Sequence, residues 1–140
     1  MFKSGITLES LSQMSKGTML EHLGIEFLEI GNDYLTARMP VNEKTKQPFG
    51  ILHGGASVTL AETLGSMAAS LSIDSNEKIC VGIEINSNHI KSVREGHVIG
   101  KTTPIHVGKS TQIWEIRITN SDNQLINISR LTLAVIDKRK

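Results

Sequence analysis

The sequence predicts an α+β fold in which one antiparallel sheet packs against a single long helix. Residues 54–71 are almost all small or apolar, which suits a buried helix. Four segments rich in β-branched side chains follow this helix, with no helical segment between them. That order is typical of an antiparallel sheet rather than of parallel βαβ units. The length of 140 residues predicts a single domain over residues 1–140.

The N-terminal segment predicts two short helices. Residues 7–15 have apolar side chains at helical spacing, and Thr7 is suited to cap the first turn. Ser10 stands where a complete capping box has Glu or Gln, so this start signal is incomplete. The second helix is expected to end at Gly24, because glycine readily adopts the left-handed conformation that closes a helix.

A predicted hairpin and a loop come between these helices and the long one. Residues 25–41 predict two strands whose connecting turn lies at residues 31–33. Residues 42–53 are mostly polar and contain Pro48 and Gly50, which favours a loop.

The four segments after the long helix predict the rest of the sheet. Their ranges are 78–90, 96–108, 110–120 and 124–136. The third segment alternates, so that one of its faces carries Gln112, Trp114, Ile116 and Ile118. Its other face carries Ile113, Glu115, Arg117 and Thr119. Residues 120–123 are expected to form a hairpin turn, with Gly108 at the tight junction before this segment.

Composition excludes several classes of partner. The formal net charge is +1, so no overall field favours nucleic acid or a membrane surface. Cys80 is the only cysteine, which rules out an intramolecular disulfide and fits a reducing compartment. The first twenty residues lack the apolar block of a signal peptide. We therefore expect a cytoplasmic protein.

Glu62 is the only ionisable side chain between residues 54 and 73. A carboxylate in such a helix can simply reach the surface or pair with a cation. A catalytic role is the alternative, because Ser66 lies four residues on and shares its helical face. Partial burial would raise the pKa of the carboxyl group, which suits a general base or nucleophile near neutral pH.

His53, Gly54 and Gly55 stand where the loop meets the helix. One interpretation is that the glycines serve only the tight backbone geometry of that junction. They also let a ligand approach the unpaired N–H groups at the start of the helix, which can polarise a carbonyl or hold an oxyanion.

Helix geometry separates Gly55 from Glu62. They lie seven residues apart, which is roughly 10 Å along a helix axis. Reacting atoms must approach to about 3–3.5 Å, so one carbonyl cannot easily contact both groups of one helix. A second antiparallel copy of the helix would solve this. One sheet also covers only one face of a helix that is apolar nearly all round, so we expect at least a dimer with a shared site.

Four segments carry a family resemblance: KQPFGILHGGASVTLAETLGSMAA, VGIEINSNHIKSVREG, HVGKSTQIWEIRI and SRLTLAVI. They resemble the hot-dog-fold acyl-CoA thioesterases, in the group of bacterial 1,4-dihydroxy-2-naphthoyl-CoA hydrolases and aryl-carrier-protein proofreading thioesterases. The resemblance spans residues 7–136. It implies a hot-dog fold, with an antiparallel sheet wrapped around one long central helix, and a homodimer unit that assembles into a homotetramer. It implies no cofactor and no metal.

The resemblance also implies roles for particular residues. Glu62 matches the catalytic carboxylate, which acts as a nucleophile through an anhydride or as a base toward water. Gly55 supplies the N–H that polarises the thioester carbonyl, while Gln47 and His53 support substrate position and the leaving group. Ser66 helps to hold the attacking water or the acyl group. Met67 lines the acyl pocket.

A further set matches the coenzyme side of the family's site: Gly82, His89, Ile90, Lys91, Ser92, His106, Val107, Gly108, Lys109, Ser110 and Thr111. Lys91 and Lys109 can pair with phosphates, although without the resemblance they would be ordinary surface lysines. Relatives often carry arginine where Lys91 stands, so bidentate phosphate contact is weakened here. No metal-ligand spacing surrounds His89 or His106.

Hydrolysis of an aromatic acyl-CoA, such as a menaquinone-pathway naphthoyl-CoA, is the leading hypothesis. Proofreading of acyl- or aryl-carrier-protein thioesters is the alternative on the same residues. Hydration of an acyl thioester is disfavoured, because the motifs of the hydratases and dehydratases are absent. A non-catalytic acyl-CoA sensor would be expected to lack the carboxylate, whereas Glu62 is present.

Overall fold

The fold is described by a computed structural model that covers residues 1–139. The helices are α1 (Leu8–Ser15), α2 (Met19–Leu23) and α3 (Gly54–Leu71). The strands are β1 (Glu26–Ile30), β2 (Leu35–Pro40), β3 (Lys78–His89), β4 (His97–Val107), β5 (Thr111–Thr119) and β6 (Leu125–Asp137). All strand pairs are antiparallel, so the predicted α+β class is confirmed.

The strand order β1-β2-β4-β5-β6-β3 moves β3 to one edge of the sheet. Among the described residues, β3 pairs only with β6. It has 12 residues, and a bulge interrupts its register between Gly82 and Glu84. The opposite edge is β1, which has five residues. The longer of the two edge strands is therefore β3, which lies beside β6.

α3 packs against one face of the sheet and forms the centre of the core. Leu60, Leu64 and Ala68 on this helix have no exposed surface. Two glycines allow the close approach: a Cβ on Gly65 would stand 2.7 Å from Leu131, and one on Gly100 would stand 2.5 Å from Leu64. The helix can thus pack close to the sheet because these two positions have no side chain.

The start of α1 is stronger than the sequence indicates. Thr7 Oγ1 accepts from the N–H of Ser10 at 3.1 Å, and Ser10 Oγ accepts from the N–H of Thr7 at 3.2 Å. A serine thus completes the reciprocal capping box that was expected to need Glu or Gln. Gly24 closes α2 with φ of 75°, as predicted.

The predicted turns and alternation are also present. The N–H of Gly31 donates to Tyr34 O at 2.8 Å and closes the first hairpin. Asn123 has φ of 60° in the predicted turn between β5 and β6. The face of β5 that is buried against α3 carries Gln112, Trp114, Ile116 and Ile118. Within residues 1–139, the helices are all too short or too polar to cross a membrane.

Candidate active site

The loop before α3 holds Gln47 by hydrogen bonds at its backbone and side chain. The N–H of Gln47 donates to Ile51 O at 2.9 Å, and the N–H of Phe49 donates to Gln47 Oε1. The buried Thr45 fixes the end of the loop, because its carbonyl accepts from the N–H of His53 at 2.8 Å. Since Oε1 of Gln47 already has a partner in the loop, the amide hydrogens of that side chain are the groups left for a ligand.

His53 caps the N-terminus of α3 with its side chain. Its Nδ1 accepts from the N–H of Gly55 at 2.7 Å. The N–H of Gly54 has no acceptor among residues 1–139. A substrate oxygen at this helix end can therefore bind the free Gly54 N–H directly, whereas it must share or displace the imidazole to reach Gly55.

A cavity of about 270 Å³ opens beside this helix end. The predicted site residues that line it are Gln47, His89, Ile90, Lys91 and Ser92. Gly54, Ser57 and Ile126 complete part of its wall. Sequence reasoning missed the buried Ser57, whose small polar side chain in an apolar helix resembled ordinary core packing.

A polar network lies under His89. Asn127 has no exposed surface, and its Nδ2 lies 3.1 Å from His89 Nδ1 and 2.8 Å from Ser87 Oγ. Ser129 Oγ donates to Asn127 Oδ1 at 2.8 Å and lies 2.8 Å from Ser87 Oγ. These residues were also missed. Their signal is the alternation of β6, which places Asn127 and Ser129 on the same inward face as Leu131.

Glu62 lies outside this cavity. It occupies a separate groove of about 390 Å³ with Ser66 of α3 and with Met19 and Leu20 of α2. The carboxylate is exposed, so the partial burial expected from the sequence is not supplied within one chain. Its Oε1 lies 3.7 Å from the point where a Cβ on Gly82 would stand.

The two helix positions contact opposite parts of β3. A Cβ on Gly54 would stand 2.8 Å from His89 Nε2, whereas Glu62 lies against Gly82. Positions 82 and 89 are seven residues apart, which is roughly 20 Å along a strand. The carboxylate and the cavity of one chain are therefore separated by more than a hydrogen-bonding substrate group can bridge.

The other predicted coenzyme residues lie at the Gly82 end of the sheet and not at the His89 end. Thr111 pairs with Ala134, which pairs with Val81 of β3. The β4–β5 hairpin thus lies level with Gly82, two strands further into the sheet, and not with His89. This hairpin carries His106, Val107, Gly108, Lys109, Ser110 and Thr111. Met67, expected in the acyl pocket, packs half-buried against the core.

In the part of the chain that the structure describes, no three His, Cys, Asp or Glu residues are grouped as metal ligands. Cys80 is half-buried beside the core, and its burial raises the pKa of the thiol above its usual value. The thiol is thus a poor nucleophile at neutral pH.

Comparison with known proteins places the chain in a family. The model of the thioesterase superfamily matches residues 49–127. A 1,4-dihydroxy-2-naphthoyl-CoA hydrolase of Escherichia coli is 50% identical over 135 residues, covering 96% of this chain and 98% of the relative. The proofreading thioesterase EntH of Cronobacter turicensis is 47% identical, with the same two coverages.

Solved structures agree with this assignment. A thioesterase of Haemophilus influenzae is 48% identical and superposes with a TM-score of 0.94, covering 97% of this chain and 94% of its own. A mutant thioesterase of Pseudomonas aeruginosa is 43% identical with a TM-score of 0.96, covering 98% and 99%. The chain belongs to the thioesterase superfamily, has the hot-dog fold and is a thioester hydrolase.

Proposed function

We propose that the protein hydrolyses an aromatic acyl-CoA, such as 1,4-dihydroxy-2-naphthoyl-CoA, at sites shared between two copies of the chain. The observation that carries the shared site is the separation of Glu62 from the cavity that holds Gln47 and His89. The aromatic substrate is supported by the name of the Escherichia coli relative. A carrier-protein thioester is the second candidate, because the Cronobacter relative is a proofreading thioesterase.

The long free edge of β3 supports a specific dimer. Within residues 1–139 the outer edge of this 12-residue strand has no partner strand, so it can pair with a strand of another chain, and Val81 and Ile83 expose apolar side chains on it. If two β3 strands pair antiparallel, the Gly82 end of one lies beside the His89 end of the other. The same pairing sets Glu62 of one copy next to the cavity of its partner, which creates two equivalent sites.

In this arrangement each chain supplies half of the chemistry. The N–H groups at the start of α3 polarise the thioester carbonyl, and the amide hydrogens of Gln47 help to orient it. Glu62 of the other copy attacks the carbonyl carbon or activates a water that does so. The C–S bond breaks as the tetrahedral intermediate collapses, and the coenzyme leaves as a thiolate. With Glu62 as base, the proton that it took from water passes to the thiolate. With Glu62 as nucleophile, water then hydrolyses the acyl–Glu62 anhydride and supplies that proton. Both roles of the carboxylate are compatible with its position.

We also make proposals for the coenzyme contacts, the assembly and the location of the enzyme. The exposed Lys91 and Lys109 offer positive charge to the phosphates of coenzyme A. We propose a homotetramer built from these dimers and a cytoplasmic location, with no cofactor, nucleic-acid or membrane partner. A place in menaquinone biosynthesis is compatible with the proposed substrate.

A thioester panel tests the substrate. The panel contains 1,4-dihydroxy-2-naphthoyl-CoA, benzoyl-CoA, hexanoyl-CoA, decanoyl-CoA and a benzoyl-carrier protein, each followed by thiol release. We expect the aromatic CoA thioesters to have the highest kcat/KM. A higher value for the carrier protein would favour proofreading, and a higher value for the alkyl thioesters would contradict the aromatic assignment.

Glu62→Gln tests the carboxylate on the best substrate of that panel. Removal of a general base or nucleophile should lower kcat by about 10³-fold. Glu43→Gln makes the same chemical change on an exposed loop residue and should leave kcat unaltered. Near wild-type turnover by Glu62→Gln would exclude the proposed role.

A further inference from the structure

We propose that Asn127 is a positioning residue that holds His89 in its Nε2–H tautomer, so that His89 donates a hydrogen bond to an acceptor oxygen on the pantetheine arm of the substrate. The tautomer follows from hydrogen bonds within this chain, and only the identity of the acceptor rests on the proposed function.

The hydrogen atoms of the network have one complete assignment. Asn127 Nδ2 has two hydrogens and two acceptors, Ser87 Oγ at 2.8 Å and His89 Nδ1 at 3.1 Å. The Ser129 hydroxyl gives its single proton to Asn127 Oδ1. The Ser87 hydroxyl can then donate to Ser129 Oγ, 2.8 Å away, which closes the circuit. Every donor has a partner, and His89 Nδ1 is left as an acceptor.

The opposite orientation of the amide is less favourable. If the Asn127 amide were rotated by 180°, its nitrogen would face only the hydroxyl of Ser129. One amide hydrogen would then lack a partner on a side chain with no exposed surface. A buried donor without an acceptor is costly, so the orientation with Nδ2 toward His89 is preferred. An imidazole that accepts at Nδ1 carries its hydrogen at Nε2.

His89 and Gly54 both line the cavity and are packed closely together. A methyl group on Gly54 would stand 2.8 Å from His89 Nε2, so glycine at this position keeps the side of Nε2 that meets the helix end free of a side chain. The free N–H of Gly54, the amide hydrogens of Gln47 and the ammonium of Lys91 offer further donors around the same cavity. A cavity furnished with donors selects a ligand that presents oxygens.

The pantetheine arm meets this requirement. It joins the thioester to the rest of the substrate and carries amide carbonyl oxygens along its length. It is common to coenzyme A and to carrier proteins, so a donor at His89 would serve either source. A bond to the arm, away from the reacting carbonyl, should strengthen binding in the ground state and the transition state alike.

Asn127→Asp reverses the polarity of the contact at nearly constant shape. A carboxylate can only accept, so His89 must then carry a hydrogen on Nδ1. The tautomer is read from the imidazole nitrogen signals in ¹⁵N NMR spectra of the free enzyme. We expect an unprotonated Nδ1 in the wild type and a protonated Nδ1 in Asn127→Asp. A protonated Nδ1 in the wild type would overturn the proposal without the need for any variant.

Gln112→Glu is the matched control. Gln112 is also a buried amide bonded to side chains, Ser72 and Trp114, but Ser72 lies at the far end of α3. The control makes the same change from amide to carboxylate in the same core. It should leave the His89 tautomer and KM unaltered. An equal change in both variants would assign the effect to general disturbance of the core.

Kinetics on benzoyl-CoA and benzoyl-pantetheine locate the acceptor. If Asn127→Asp leaves a hydrogen on Nδ1 and none on Nε2, the loss of one hydrogen bond that acts on binding should raise KM by about tenfold at unchanged kcat, equally for both substrates. If the spectra of this variant show hydrogens on both nitrogens, the donor is kept and KM should stay unaltered. A rise for benzoyl-CoA alone would place the acceptor on the nucleotide and overturn the assignment to the arm. A fall in kcat at constant KM would also overturn it. If the wild type cleaves neither substrate, the proposed aromatic specificity fails, while the NMR spectra still decide the tautomer.

Discussion

The two regions of α3 that bear chemistry differ in how much the chain itself completes them. At the N-terminus, hydrogen bonds fix Gln47 and His53, and Asn127 contacts His89 from below. Eight residues along the helix from Gly54, Glu62 projects into an exposed groove and has no hydrogen-bond partner within residues 1–139. One region is preorganised and the other is open.

The difference follows from strand order. β3 is the edge strand of the sheet and lies beside β6. Because Glu62 of α3 lies next to Gly82 of β3, its carboxylate is at the edge of the sheet. The N-terminus of α3 meets β3 at its other end, near His89. A carboxylate at a free edge can serve a partner, whereas the oriented donors at the helix end are fixed by their own chain. The donors that orient the substrate are thus held by their own chain, whereas the carboxylate of Glu62 is expected to reach the site when two chains associate.

Mixing two inactive variants tests most directly whether the two regions act together within one chain or across two chains. Glu62→Ala removes the carboxylate, and Gln47→Ala removes a donor of the cavity. Each variant alone should lose kcat by about 10²-fold or more. After joint unfolding and refolding in equal amounts, half of the dimers are mixed and one of their two sites is intact. Activity should return to about a quarter of wild type, because the two defects lie in different sites of the mixed dimer.

The control is the double variant Glu62→Ala/Gln47→Ala refolded with the wild type. Both defects then enter the same chain, so each mixed dimer has two damaged sites, and activity should again be about a quarter of wild type from wild-type dimers alone. Recovery is measured by thiol release, and the dimers by sedimentation. No recovery in the first mixture, with mixed dimers present, would place both residues in one site of a single chain.

Local sequence signals predicted most of the secondary structure. The range 54–71 of α3 is as predicted, since its apolar run begins after a loop and ends at polar residues. The predicted ends of the strands lie within about one residue of the observed ends. This agreement is close because the turn residues between the strands are distinctive. Ser10 shows the limit of a motif rule, since its hydroxyl does what Glu or Gln usually does.

The candidate site was less accessible to sequence reasoning. The approximate helix distance between Gly55 and Glu62 could be calculated in advance, because it depends only on helix geometry. The position of β3 at the edge depends on long-range pairing, so the contact of Glu62 with Gly82 could not be read from the sequence. Asn127 was missed because its role depends on His89, 38 residues away in the chain.

Gly54→Ala tests how closely α3 and His89 are packed in the preorganised region. The new Cβ would stand 2.8 Å from His89 Nε2 and 3.0 Å from its Cε1, so the imidazole must move. We expect kcat/KM to fall by about tenfold, since a displaced donor loses about one hydrogen bond. Alanine favours a helix by about 1 kcal/mol over glycine, so the steric cost in the free energy of unfolding will be partly offset.

Urea unfolding of a double-mutant cycle separates these two effects. In the His89→Ala background the obstructing ring is absent, and Gly54→Ala should be neutral or stabilising. In the wild-type background the change in the free energy of unfolding caused by Gly54→Ala should be less favourable than in the His89→Ala background, by about 1–2 kcal/mol. Equal free-energy changes in the two backgrounds would show that the ring does not contact residue 54.

Cys80 should give the smallest effect, although it lies on β3 only two residues before Gly82. Cys80→Ala removes one sulfur atom from a half-buried position, so the free energy of unfolding should fall by about 1 kcal/mol. The value of kcat should stay within about twofold of wild type, because the thiol has a raised pKa and the proposed carboxylate is untouched. For the same reason iodoacetamide should label Cys80 more slowly than an exposed model thiol at pH 7. A loss of turnover in Cys80→Ala comparable to that of Glu62→Gln would move the nucleophile from the helix to the strand.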